Sequence, residues 1–256
     1  MSFAGKAIIV TGASAGIGRE LAIALAARGA RLALAARRRP ELEETAAACR
    51  GEAVILPTDL ARPDACRVLV DGAVAALGGI DAVVHDAGIT MHARFDEVRD
   101  LSLYETLMRV NYLGPVHVTH RALPHLRARR GLVVAVSSLL GLTGAPTRTG
   151  YAASKHALQG FMDSLRLEVA ADGIDVLVVS PGFVATGIRA RAGHAAVEPR
   201  RAMTAAACAA RIVDAMARRR REVLIPGSAR ALQALRLIAP GVVDRFIARA
   251  FAGRRP

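Results

Sequence analysis

The chain has 256 residues, 53% of them hydrophobic, which is enough to bury a substantial core in one large domain or two small ones. Its formal charge of +13 comes from arginines spread along the whole length, and with three tyrosines, six phenylalanines and no nucleic-acid motif, a solvated arginine-rich surface is expected in place of a nucleic-acid interface. No apolar run reaches the ~18 residues of a membrane span and the N-terminus carries no signal-peptide pattern, so a soluble cytoplasmic protein is expected.

The first predicted strand is Lys6–Val10, followed by the turn Thr11-Gly12-Ala13-Ser14-Ala15-Gly16-Ile17-Gly18 and a helix over residues 19–28. The three glycines permit a tight turn and close backbone approach, and the helix N-terminus offers free amides and a positive dipole to a pyrophosphate. Arg31–Ala36 reads as the second strand, ending in Arg37-Arg38-Arg39. An NAD site usually places an acid near this point to bond the ribose hydroxyls, whereas arginines suit a 2′-phosphate, so NADP(H) is expected in preference to NAD(H).

A helix over 41–50 leads to the strand Ala53–Leu56 and then Asp59-Leu60; a helix over Pro63–Leu77 leads to the strand Ile80–Val84 and the turn His85-Asp86-Ala87-Gly88. A long segment over 101–128 contains Asn111, and the apolar runs Leu132–Val136 and Ile174–Val179 read as buried parallel strands on either side of a helix carrying Tyr151. This alternation implies an α/β fold: a doubly wound parallel sheet of about seven strands, with helices on both faces, in a single domain over 1–256. After Pro181-Gly182 a stretch over 183–205 reads as a substrate loop with short helices over the strand ends. Glu222–Pro226 is the seventh strand, and residues 229–252 form two amphipathic helices broken at Pro240-Gly241. These helices are expected to close over the substrate pocket or to pack on a second subunit. Their Arg230, Arg236, Arg245 and Arg249 also permit contact with a membrane surface, which is the less favoured reading.

Tyr151 and Lys155 are four residues apart, so on a helix they share a face, and Ser138 stands just beyond the end of a predicted strand. A free phenol titrates near pH ~10, and bringing it to neutrality takes about 4 kcal/mol, which a lysine and a cationic nicotinamide could supply together. The chain contains two lysines, Lys6 and Lys155, against thirty-three arginines, so a compact ammonium has been kept at this position in a sequence that otherwise uses guanidinium. Cys49, Cys66 and Cys208 are odd in number and lack metal spacing, and His117, His120 and His125 have no carboxylate or cysteine beside them, so reduced structural thiols and no metal site are expected.

Thr11-Gly12-x-x-x-Gly16-x-Gly18, Asp59, Ala87-Gly88, Asn111, Ser138, Tyr151-x-x-x-Lys155 and Pro181-Gly182, in this order over residues 5–190, resemble the short-chain dehydrogenase/reductase family. The resemblance implies a Rossmann-like fold, a nicotinamide cofactor, and hydride transfer between the nicotinamide and a carbonyl or alcohol carbon. It implies Asn111, Ser138, Tyr151 and Lys155 as the catalytic set: Ser138 holds the carbonyl oxygen, Tyr151 gives the proton, Lys155 grips the ribose and lowers the tyrosine pKa, and Asn111 supports a water. For the cofactor it implies Gly12, Ser14, Gly16, Ile17, Gly18, Arg37, Arg38, Asp59, Leu60, Asp86, Ala87, Gly88, Tyr151, Lys155, Pro181, Gly182, Val184 and Thr186, the last at the nicotinamide carboxamide. The family's usual Asn-Asn-Ala-Gly turn is here His85-Asp86-Ala87-Gly88, which puts a carboxylate where an amide is usual.

Leu139, Leu140, Leu142, Ala145, Pro146 and Phe183 suggest an apolar substrate pocket. A 3-oxoacyl thioester reductase is the alternative enzyme, with Arg127, Arg129 and Arg130 available to an acidic carrier, and a nucleotide-sensing protein of the same fold is the non-enzymatic alternative. A homodimer or homotetramer is expected through the Tyr151 helix, because Ala157, Phe161, Leu165 and Leu167 cannot all face one core.

Overall fold

The computed structural model describes residues 1–186 and 202–252. Seven strands form one parallel sheet in the order β3-β2-β1-β4-β5-β6-β9: β1 Ala7–Thr11, β2 Arg31–Ala36, β3 Ala53–Pro57, β4 Ala82–His85, β5 Leu132–Val136, β6 Asp175–Pro181 and β9 Glu222–Ile225. The order turns at β1 and β4, and the chain leaves these strands in opposite directions there, opening a crevice at their carboxyl ends.

Alternation within each strand explains why both faces carry helices. Ile8, Val10, Leu34, Val84, Val134 and Val179 face one side, where they meet Leu21 and Leu25 of α1 (Gly16–Ala26), Leu42 of α2 (Arg39–Ala48) and Ile212 and Met216 of α7 (Ala205–Ala217). Ile9, Ala33, Val83, Val133 and Val178 face the other, against Leu69 and Ala73 of α3 (Pro63–Leu77), Ala122 and Leu126 of α5 (Gly114–Arg129) and Leu158 and Met162 of α6 (Thr149–Glu168). A short α4 (Ser102–Met108) runs through a π-helical turn, Arg109–Leu113, into α5.

Several boundaries differ from the sequence expectation. The fourth strand begins at Ala82; just before it, the Asp81 carboxylate accepts from the amide of Ala7 at 3.0 Å and from the Lys6 ammonium at 2.8 Å, tying the starts of β1 and β4 together. Lys6 thus has a structural partner. The long 101–128 segment contains the π turn, and the helix α7 was not anticipated, although Thr204 caps it by accepting from the Ala207 amide at 3.2 Å. The last two helices are α8 (Ala229–Ile238) and α9 (Pro240–Ala252); the break falls at Ala239, and Pro240 opens α9, where a missing N–H costs nothing.

Of the expected substrate loop over 183–205, residues 187–201 lie outside the described residues. Its two ends are joined: β7 (Val184–Ala185) pairs in parallel with β8 (Met203–Thr204), and the Met203 amide donates to Phe183 O at 3.1 Å. On α6, Leu165 is buried, Phe161 packs against the core and edge-on to Tyr112, and Leu167 is 75% exposed, so the apolar surplus on that helix is smaller than the sequence suggested. Among the described residues no helix is long and apolar enough to cross a membrane, and no cluster of His, Cys, Asp or Glu could hold a metal. Burial pushes the thiols of Cys66 and Cys208 up to about 11 and about 12, with Asp59 and Asp86 adding to it, so both are protonated packing groups.

Candidate active site

The turn after β1 is shaped by glycine. Gly12 has φ +74° and Gly16 φ +60°, and a Cβ on Gly12 would lie 2.7 Å from the Ala87 amide nitrogen. A Cβ on Gly18 would lie 2.4 Å from Gly12 O and 2.7 Å from Asp86 Oδ2, so the first turn of α1 packs directly on its own entry loop and on the end of β4. Ala15, which opens α1, has no polar side chain to cap it, and the leading amides of a helix suit an anion. Thr11 knits the two strands at the crevice: its Oγ1 donates to Val84 O at 3.2 Å and accepts from the amides of Asp86 and Ala87 at 3.2 and 3.3 Å. These features fit a dinucleotide, with the pyrophosphate on the uncapped helix end.

Around this cradle stand the other residues expected from sequence. Arg37 and Arg38 are exposed at the end of β2, and Arg38 lies 3.5 Å from Ser14 Oγ while pairing with Glu41 at 2.7 Å. Asp59 follows β3, its Oδ1 accepting from the Ala61 amide at 3.1 Å, and Leu60 is buried. A Cβ on Gly16 would lie 3.0 Å from Thr186 Cβ, which puts Thr186 across the glycine turn. Gly182 follows Pro181, donates to Ile225 O at 2.7 Å, and so ties the end of β6 to β9 just before Val184.

The four residues of the expected catalytic set converge at the carboxyl ends of β4 and β5. Ser138 follows β5, its hydroxyl accepts from the Leu140 amide at 3.1 Å, and it lies near enough to the Tyr151 phenol to favour the ionised form. Lys155 is buried, donates from Nζ to Val136 O at 3.0 Å, and lies 5.9 Å from the centre of the Tyr151 ring. Asn111, fully buried in the π turn, accepts from the Ile89 amide at 2.9 Å and donates to Ile89 O at 3.0 Å and Ser154 Oγ at 2.9 Å.

The charges differ from the simple expectation of a lysine that acidifies a tyrosine. Burial pushes the Tyr151 phenol up; the nearby Ser138 hydroxyl and the charge of Arg148 pull it down, and Asp86 pushes it up again. Burial also pushes the Lys155 ammonium down to about 8, with the Asp86 carboxylate opposing that fall. The protein alone therefore does not hold the phenol low, because the same desolvation that brings the pair together disfavours both of its charged forms.

A family model described as short chain dehydrogenase matches residues 6–196. The chain belongs to the short-chain dehydrogenase family. Two relatives extend along nearly all of it: 11-beta-hydroxysteroid dehydrogenase 1A of Arabidopsis thaliana, 32% identical over 258 residues covering 94% of this chain and 74% of the relative, and Dehydrogenase/reductase SDR family protein 7-like of Anopheles gambiae, 35% identical over 257 residues covering 93% and 80%. A short chain dehydrogenase/reductase from Burkholderia phymatum, solved in complex with NAD, superposes with a TM-score of 0.82 over 94% of this chain and 96% of that one; at 24% identity it shows the shared fold. As a short-chain dehydrogenase the protein is an oxidoreductase of alcohol and carbonyl groups that uses a nicotinamide cofactor.

Two residues of this short-chain dehydrogenase were not anticipated as parts of the site. Arg148, buried at the start of α6, donates from Nη1 to Thr90 Oγ1 at 2.9 Å and to Met91 O, joining the segment after Gly88 to the helix that carries Tyr151. Its signal in the sequence was a charge between small residues three positions before Tyr151, and the arginine-rich composition hid it. His85, in the departing turn, is buried with Nε2 2.8 Å from Thr119 Oγ1 and is pushed down to about 3 by burial, with Lys155 contributing, so it is a neutral imidazole. The Asp86 beside it faces the first turn of α1, where a helix N-terminus favours a carboxylate.

Proposed function

We propose that this short-chain dehydrogenase transfers hydride between NADP(H) and the carbonyl or secondary alcohol of an apolar substrate, with Tyr151 as the group that gives or takes the hydroxyl proton. The observation that carries this reading is the placement of the buried Lys155 ammonium 5.9 Å from the centre of the Tyr151 ring, with Ser138 beside the phenol. Bound nicotinamide supplies or accepts the hydride. In the reducing direction Ser138 donates to the substrate oxygen, and Tyr151 delivers its proton to the same atom as negative charge builds there. Lys155, oriented by the Val136 carbonyl, presents the positive charge that favours the departing proton's tyrosinate, and Asp86 keeps that ammonium charged against the pull of burial. Asn111 positions the Ile89 backbone beside Gly88, close to the lysine.

Arg37 and Arg38 support the preference for NADP(H), since both are exposed at the end of β2 and Arg38 already reaches toward the glycine turn. Leu139, Leu140 and Leu142 beside Ser138, with Phe183 41% exposed, support an apolar substrate. The relatives named as hydroxysteroid dehydrogenases support a fused-ring ketone or alcohol of steroid size as the substrate class. The same reading includes a closed homo-oligomer that covers Leu167 on α6. A panel of steroid, alicyclic and aryl ketones with NADPH, and the matching alcohols with NADP, tests the reaction by the change in reduced-nicotinamide absorbance. Turnover of none of them, with tight cofactor binding intact, would favour a nucleotide-sensing role instead.

A further inference from the structure

Among the described side chains, α9 buries one face only. In α9, Val243 and Ile247, four residues apart, are buried, while Val242 is 47% and Phe246 62% exposed. At about 100° per residue, Val242 and Phe246 form a ridge next to the buried one, Arg245 and Arg249 form the ridge on its far side, and Asp244 lies roughly opposite. α8 continues the apolar surface, with Leu235 40%, Leu237 86% and Ile238 82% exposed just before the turn at Ala239. Ile238, Val242 and Phe246, with Leu235 and Leu237 on opposite flanks of Ile238, leave an uncovered apolar strip around the α8–α9 corner.

The charge beside the strip has one sign. From Pro226 onward the sequence contains six arginines, one aspartate and no glutamate. Arg245 bonds the Gly241 carbonyl of its own helix, and among the described residues none of Arg230, Arg236, Arg245 and Arg249 pairs with a carboxylate, unlike Arg127 on α5, which meets Asp172 at 2.6 Å.

We propose that this corner docks the protein on an anionic bilayer surface, with Leu237, Ile238, Val242 and Phe246 entering the interfacial region and Arg245 and Arg249 reaching the headgroups. A ridge of apolar side chains bordered by long cations is the arrangement that lies in the plane of an interface, the arginine stems covering apolar surface while their charged ends stay wet. A second copy docked through the same face would bring two arginine ridges together, so charge favours an anionic occupant over self-association. The position is independent of the hydride-transfer reading, because none of these residues belongs to the site described above.

Co-sedimentation of the full chain with vesicles of phosphatidylcholine alone, or of an equal mixture of phosphatidylcholine and phosphatidylglycerol, tests it at low and high salt. The expected result is pelleting with the mixture, little with phosphatidylcholine, and release by salt. Arg245→Gln with Arg249→Gln should weaken binding by about 25-fold, at roughly fivefold per arginine. Leu237→Asp with Ile238→Asp should abolish it while circular dichroism and NADPH affinity stay unchanged, as both residues are already in water. Failure to bind the mixture, equal binding to both lipids, or binding that survives these substitutions would overturn the proposal. So would aspartate variants that split an oligomer and leave vesicle binding intact, since the corner would then be a subunit interface.

Discussion

Asn111 closes both ends of its carboxamide on Ile89, accepting from the amide at 2.9 Å and donating to the carbonyl at 3.0 Å. The main chain just after the Ala87-Gly88 turn is thereby held by a residue from the π turn between α4 and α5. Asn111→Ala leaves that backbone unpartnered and should lower stability by about 2–3 kcal/mol, read as a fall in the urea midpoint. Asn111→Asp keeps only the acceptor and should fall between the two. An alanine variant of unchanged midpoint would mean that water replaces the carboxamide without loss.

Tyr151→Phe should lower turnover by at least a hundredfold and leave NADPH affinity within about twofold, because the ring stays and only the transferable proton goes. Lys155→Ala should damage both kcat and cofactor affinity. Single-turnover kinetics on a substrate found by the ketone panel, beside fluorescence titration of NADPH, separates the two effects; a phenylalanine variant that keeps most of its rate removes Tyr151 from the proton-transfer role.

NADPH should bind at least tenfold more tightly than NADH, as one charge-assisted bond to the 2′-phosphate contributes about 1.5–3 kcal/mol. Arg38 must share its guanidinium with Glu41, 2.7 Å away, which trims its contribution. Arg37→Ala with Arg38→Ala should erase most of the preference by weakening NADPH and not NADH. Equal loss for both cofactors would show that the arginines act on the adenosine or on folding.

His85 should make the protein acid-sensitive. Its folded pKa of about 3 lies below the ordinary value of 6.5, so as pH falls the unfolded chain takes up the proton first. The stability that the neutral imidazole retains is complete above about pH 6.5 and is lost progressively toward pH 3, with a slope of up to about 1.4 kcal/mol per pH unit. Denaturant midpoints measured across that window should fall less steeply in His85→Asn than in the parent. Parallel curves would mean that His85 stays neutral in both states or titrates in the open.

Much of this architecture was legible before any coordinates, because buried parallel strands announce themselves as short runs such as Leu132–Val136, which the structure keeps to the residue. The glycine turn was readable because few other residues satisfy its backbone geometry, and the Tyr151–Lys155 pair because residues four apart share a helix face. What stayed hidden depends on partners far along the chain. Nothing local says that Asp81 will be used on Ala7 and Lys6, or that Arg148 will reach Thr90. The rise of the Tyr151 pKa was missed for the same reason, since desolvation is a property of the assembled site and not of the motif.

The pairing of Val184 with Met203 and of Ala185 with Thr204 has an evolutionary consequence. It fastens the two ends of the intervening segment to each other, so a change in that segment's length need not move either end; for a flexible chain a doubling of length adds about 0.6 kcal/mol. The sheet, the glycine turn and the Ser138–Tyr151 pair need not adjust. A lineage carrying this clasp can change the number of residues between its two ends while the sheet on which they rest is inherited unchanged.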